Sequence, residues 1–163
     1  MIIYETITFL GGQLTLFKQD DALVFVSLAD DGDGVADFKS FYPTVDVIAD
    51  NVPEVALFKH YAAGEAIDWR QLKINYLSGT KFQREVWQAM HNMIPHEYLT
   101  YAELAQRANH PTAIRAVASA IGKNPLTIIN ACHRILPKSG GIGQYRYGSH
   151  IKAELLALDR VKI

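Results

Sequence analysis

The spacing of apolar residues changes once along this chain, at Ser78-Gly79, and that change limits the folds open to it. Before it, apolar and polar residues alternate over 2–9, 13–17 and 23–28, the period of strands with one buried face, with turns at Gly11-Gly12 and Asp20-Asp21. After it, apolar residues recur at three- and four-residue intervals, the period of helices. The expected fold class is therefore α+β. An N-terminal antiparallel β-sheet with a packed helix would occupy 1–78, and a mainly helical domain with a helix-turn-helix 79–163.

Within the first half, Pro53 can open a helix carrying Val55, Phe58, Tyr61 and Ala62, with Gly64 as its stop. The segment 38–50 is mixed, broken at Tyr42-Pro43, and 69–77 reads as extended. The run Asp30-Asp31-Gly32-Asp33-Gly34 has the opening of a calcium loop, but the twelfth position, where such a loop needs a bidentate glutamate, holds Phe41. A solvated acidic turn is expected instead.

In the second half, Thr80 can cap a helix to about residue 93, with Gln83 completing a capping box and Phe82, Val86, Trp87 and Met90 on one face. Thr100 and Glu103 repeat the device for a helix over 100–108. Asn109-His110-Pro111 breaks the chain, and a helix of mostly small residues follows over 112–121, with Arg115 near its start. Two short helices around a tight turn form a helix-turn-helix candidate, and small side chains let a helix backbone come close to a groove. A strand-like run over 126–132, a glycine-rich loop at 139–143 and a helix over 150–159 complete the chain.

Cys132, the only cysteine, is followed by His133 and Arg134. A thiol is a useful nucleophile as thiolate, and an imidazole and a guanidinium are groups that take its proton or favour the anion. A buried cysteine in a core strand among Ile128, Ile129, Ile135 and Leu136 is the competing reading. A lone cysteine forms no internal disulfide and no multi-thiolate zinc site, which fits a reducing cytoplasm. Neither a secretion signal nor a membrane span is visible. The net charge of -1 hides an asymmetry: residues 1–103 carry 7 Lys/Arg against 15 Asp/Glu, whereas 104–153 carry 7 basic residues and no acid. A polyanion such as DNA would find its counter-surface on that block.

Five ordered stretches resemble the O6-alkylguanine-DNA alkyltransferases, over roughly half of the chain. They are Gly79 through Trp87 with Ile94-Pro95, then Thr100-Tyr101-Ala102-Glu103-Leu104-Ala105, Ala113-Ile114-Arg115-Ala116-Val117, Asn124-Pro125, and Cys132-His133-Arg134 with the following loop and Tyr145. The resemblance implies a ribonuclease H-like first domain and a winged-helix-like second one. It also implies self-alkylation: Cys132 attacks the alkyl carbon on guanine O6, His133 takes the thiol proton through a water, and Asp159 orients the imidazole where the family has glutamate. Tyr101 donates to the flipped base, and Asn124 ties the helix pair to the cysteine segment. Arg115 fills the vacated base stack while Ala113, Ile114, Ala116 and Ser119 lie in the minor groove, with Thr80 and Gln83 also at the DNA. Tyr145, Arg146, Ile135 and Trp87 form the substrate pocket. The implied partner is double-stranded DNA containing O6-alkylguanine, with O4-alkylthymine as a further substrate. The protein would act once, as a monomer, without cofactor, metal or membrane.

Three positions depart from the family pattern. Ala131 stands where proline is usual, freeing the backbone and restoring an amide donor; Asn130 replaces an aliphatic residue; and Arg146 is large where a small residue is usual, which disfavours bulky alkyl groups. Two other readings stay open at this point: a protein that recognises alkylated bases without transfer, and a cysteine hydrolase.

Overall fold

The structure is a computed structural model and describes residues 1–29 and 33–161. Strands β1 (Ile2–Phe9), β2 (Gly12–Gln19) and β3 (Ala22–Ser27) form the expected meander, with Ile2 opposite Gln19 and Phe9 opposite Gly12. Leu10 and Gly11, at φ of 50° and 77°, make the first two-residue turn, whose paired positive φ values match the twist of the strands they join. Helix α1 (Gly34–Phe41) then carries the chain to β4 (Val47–Ala49), which lies beside β1.

The sheet order is β3-β2-β1-β4, and β4 runs parallel to β1. The expected all-antiparallel sheet is therefore a mixed one. The physical reason is the crossover: a helix between β3 and β4 returns the chain to the same end of the sheet, so β4 enters in the direction of β3 and β1. The breaker Tyr42-Pro43 marks the end of α1, because a residue before proline avoids helical geometry. Asp30, Asp31 and Gly32 of the expected acidic turn lie outside the described residues.

Both faces of the sheet are covered, against the expectation of one. On one face Phe38 stacks on Phe17 at 4.5 Å, within a cluster that includes Ile2, Phe25 and Tyr42. On the other, α2 (Val55–Ala62) packs with Leu126, Ile128, Ile129 and Leu155 from the second half of the chain. All six residues of β3 are consequently buried, as in a strand with no solvent face. The segment expected to be extended over 69–77 begins as a single 3-10 turn, Trp69–Gln71, because the Asp68 side chain accepts from Arg70 N–H. It then pairs with the open edge of β3 through Leu23.

Helices α3 (Lys81–His91), α4 (Tyr101–Arg107), α5 (Ile114–Gly122) and α6 (Ser149–Leu158) follow. Both capping boxes form. Gln83 N–H donates to Thr80 Oγ1 at 3.1 Å and Thr80 N–H to Gln83 Oε1 at 2.9 Å; Glu103 and Thr100 do the same at α4. A second core joins Val86, Trp87 and Met90 of α3 to Leu104, Val117 and Ala120, and the Trp87 indole N–H donates to Ala120 O at 2.8 Å. A short parallel pair, β5 (Leu99–Thr100) and β6 (Ile135–Leu136), leads into the helices. Among the described residues the architecture is a mixed four-stranded sheet with six α-helices, none of them long and apolar enough to cross a membrane.

Gly79 sits where the two sequence periods meet. Its φ is +111°, and a Cβ there would lie 2.5 Å from the Trp87 ring. Gly79→Ala is therefore expected to cost about 1–3 kcal/mol in unfolding free energy, read as a lower denaturant midpoint. An unchanged midpoint would mean that the approach of this turn to Trp87 is not needed.

Candidate active site

The segment before the cysteine is coiled rather than the expected strand. Ile128 has φ of +74°, Asn130 N–H donates back to Leu126 O at 2.8 Å, and Cys132–Arg134 is a 3-10 turn. A run of buried apolar residues looks the same in sequence whether it is stretched or coiled. What coils it is Asn124, whose Oδ1 accepts from Leu126 N–H and from the Asn130 side chain while its Nδ2 donates to Asn130 O. Asn124 thus joins the end of α5 to the cysteine turn. The fully buried Asn130 amide nitrogen also donates to the Tyr76 hydroxyl, while its Oδ1 has no hydrogen-bond partner among the described residues.

Ala131, where proline is usual, has φ of -74° and ψ of 56°, and Cys132 N–H closes back to Asn130 O at 2.7 Å. This is an inverse γ-turn, and its φ is the value a proline ring would impose. The alanine therefore occupies a proline-like conformation, held here by the turn and its packing.

Cys132 lies at the wall of a cavity of about 520 Å³, a size suited to a small organic group or a base. Tyr101, Asn124, Tyr145 and Arg146 also line it. The Tyr145 hydroxyl is 3.4 Å from Cys132 Sγ; burial, and then the nearby cysteine, push its pKa well above the ordinary value, so it keeps its proton. Tyr101 is raised for the same two reasons in the same order. The cavity thus presents two protonated hydroxyls near one sulfur.

His133 is turned into the protein, with no exposed surface. Its Nε2 is 2.5 Å from Asp159 Oδ2, just past the end of α6, and its buried Nδ1 has no hydrogen-bond partner among the described residues. Burial lowers the imidazole pKa more than the Asp159 carboxylate raises it, so His133 is neutral. Pairing with the carboxylate assigns the ring proton to Nε2 and leaves Nδ1 as a base. For Asp159, burial works upward, but the hydrogen bonds and charges of His133, Tyr61 and Arg134 outweigh it and hold the carboxyl below its ordinary value. Aspartate therefore reaches the imidazole despite being a methylene shorter than glutamate. His96 Nδ1 meets the Asp159 carbonyl at the end of α6, 2.6 Å away.

The other residues singled out in the sequence divide into two groups. Arg115 and Ser119 are exposed on α5, as are Ala116 and Ile114, the last at 42%, beside the cavity-lining Ala118, Ile121 and Gly122 of the same helix; Ala113 precedes its first turn. Trp87 and Ile135, expected in the pocket wall, are instead buried behind it in the second core. Thr80 and Gln83 use their side chains on each other at the start of α3. Arg146 reaches the cavity edge but turns its guanidinium to Asp37 of α1, 2.7 Å away, and over the Phe41 ring at 4.2 Å. Its bulk is thus drawn toward the N-terminal half.

Lys152 was not evident from the sequence as a site residue. It is 1% exposed, lines the cavity and donates to Ile135 O at 2.9 Å and Gln144 O at 3.4 Å, with burial lowering its pKa. The one available signal was a lysine on the apolar side of a helix, next to Ile151 and Leu155.

Comparison with known proteins bears on what this constellation is. Residues 81–161 match the family model described as 6-O-methylguanine DNA methyltransferase, DNA binding domain. A methylated-DNA–protein-cysteine methyltransferase from Mycolicibacterium paratuberculosis is 32% identical over 164 residues, covering 98% of this chain and 93% of that protein. The chain belongs to the methylated-DNA–protein-cysteine methyltransferase family. A Haemophilus influenzae relative of the same name is 39% identical over 104 residues, which span 64% of this chain but only 58% of the relative. The Mycobacterium tuberculosis OGT solved in complex with DNA superposes with a TM-score of 0.81 at 29% identity, over 97% of this chain and 92% of that one.

Proposed function

We propose that this methyltransferase repairs DNA by direct reversal, moving the alkyl group of O6-alkylguanine, and of O4-alkylthymine, irreversibly onto Cys132. The observation that carries the reading is the placement of Cys132 at the cavity wall next to a neutral His133 held by Asp159. The thiol proton passes through a water to His133 Nδ1. Cys132 sulfur then attacks the alkyl carbon in line, forming an S–C bond as the C–O6 bond breaks, while hydroxyl donors at Tyr145 and Tyr101 meet the negative charge left on the guanine. Guanine is regenerated and a thioether remains, so each chain acts once.

The target base is stacked inside a duplex and has to be turned out. In this reading α5 enters the minor groove through Ala113, Ile114, Ala116 and Ser119, Arg115 fills the gap, and Thr80 and Gln83 lie near the backbone at the start of α3. The division of the chain near Gly79 into a ribonuclease H-like and a winged-helix-like domain, action as a monomer, and a reducing cytoplasm that keeps the thiol free belong to the same proposal.

Tritium-labelled methyl on O6 of guanine in a duplex tests it. Label should pass to the protein until about one methyl per chain is bound, with unmodified guanine left behind; continued turnover, or tight binding with the label still on the DNA, would contradict transfer. Unstacking a base costs a few kcal/mol, so Arg115→Ala should slow transfer from duplex by about 10- to 100-fold, while transfer from free O6-benzylguanine changes by less than about 3-fold. Equal slowing on both substrates would remove the intercalating role.

A further inference from the structure

The relay contains a contact that the sequence motifs do not predict, because it comes from the other half of the chain. Tyr61 on α2 is 1% exposed, and its hydroxyl donates to Asp159 Oδ1 at 2.7 Å, across 98 positions of sequence; the carbonyl of Leu155, at 3.5 Å, is a more distant second contact. Its ring is fixed from two sides, edge-on to Trp69 at 5.1 Å and stacked on Phe9 at 6.3 Å. The hydroxyl is thus held in place by the N-terminal core.

We propose that Tyr61 is a positioning residue for the relay, its hydroxyl holding the short Asp159 carboxylate turned toward His133, a role that rests on the alkyl-transfer reading above. Asp159 Oδ2 is shared by His133 Nε2 at 2.5 Å and Arg134 Nε at 3.2 Å. A carboxylate free to rotate would offer both oxygens to the guanidinium and lose its alignment on the imidazole. The Tyr61 hydroxyl occupies Oδ1 and removes that alternative. Burial, and then the Asp159 charge, keep Tyr61 protonated, so toward the carboxylate it donates. The other ionisable groups at Asp159 are His133 and Arg134 from the 3-10 turn and His96, which meets its backbone carbonyl; Glu97 accompanies Arg134, whose terminal nitrogen donates to Glu97 O.

Tyr61→Phe removes the hydroxyl and keeps the ring. Two measurements are made on the whole chain: the rate of transfer from O6-benzylguanine across pH, and the NMR titration of the His133 ring, which needs no transfer. A hydrogen bond to a charged group is lost, so transfer should slow by about tenfold. Without the donor the negative charge of Asp159 is less stabilised, so the Asp159–His133 pair should take its proton at higher pH, moving both the acid limb of the rate and the His133 titration upward. In an Asp159→Asn background the same change should have less than about a 2-fold effect, since the two residues act through one contact. An unshifted His133 titration, or equal slowing in the Asp159→Asn background, would overturn the proposal. Failure of the parent protein to transfer, with the titration still shifted, would overturn the functional reading and leave the Tyr61 contact standing.

Discussion

A Cys132→Ala variant is expected to take up no alkyl group from duplex DNA or from free O6-benzylguanine, and to keep its fold and its affinity for duplex. No other thiol exists in the chain to act as a substitute. Cys132 is 8% exposed, its sulfur borders an open cavity, and its polar neighbour is the Tyr145 hydroxyl, so removing a single sulfur atom leaves the second core and the capping boxes intact. The thermal midpoint should stay within a few degrees, as for a small change at a cavity wall. Uptake by the alanine variant at a measurable fraction of the parent rate would move the acceptor to another side chain.

The second large effect is expected at His133. Glutamine places an amide near the position of the imidazole Nε2, so His133→Gln retains a donor for Asp159 while removing the base at Nδ1. Transfer should slow by about 10²–10⁴-fold, the usual contribution of a positioned base, with a stability change below about 2 kcal/mol. The pH dependence follows from the same residue. Burial depresses the folded-state imidazole pKa, so the parent rate should be flat through neutrality and fall only as pH drops below the ordinary imidazole value of about 6.5. Folding stability has the same sign: the unfolded chain binds the proton first, so stability is lost as pH falls from about 6.5 through the lower folded-state value. The glutamine variant should lack this component in both measurements. A rate limb in the same place for both proteins would assign the titration elsewhere.

Local chemistry is what made parts of this fold readable from the sequence. Thr80 with Gln83 and Thr100 with Glu103 announce helix starts because the capping bonds form between neighbours, and Gly11 announces a turn because its backbone needs a positive φ. Elements whose state depends on distant partners were not readable in this way. β4 is three residues long and is defined by β1, forty-five positions away, while 126–131 coils because Asn124 ties it. At the site, Cys132, His133 and Asp159 stand in one recognisable pattern; the structure pairs His133 with Asp159 in the interior and sets Cys132 beside Tyr145 at the cavity wall. Tyr61 and Asp37 belong to the half of the chain without motifs, and nothing in their local sequence points to Asp159 or Arg146. Trp87 and Ile135 show the converse: a motif residue can serve the wall behind the site.

The most direct measurement is the mass of the peptide that contains Cys132, taken after the protein has been incubated with duplex DNA carrying O6-methylguanine and then digested. Transfer predicts that this peptide alone gains a methyl group in place of the thiol hydrogen, in proportion to the lesion repaired. An unchanged Cys132 peptide after the lesion has been bound, or a methyl group found on any other peptide, would contradict it.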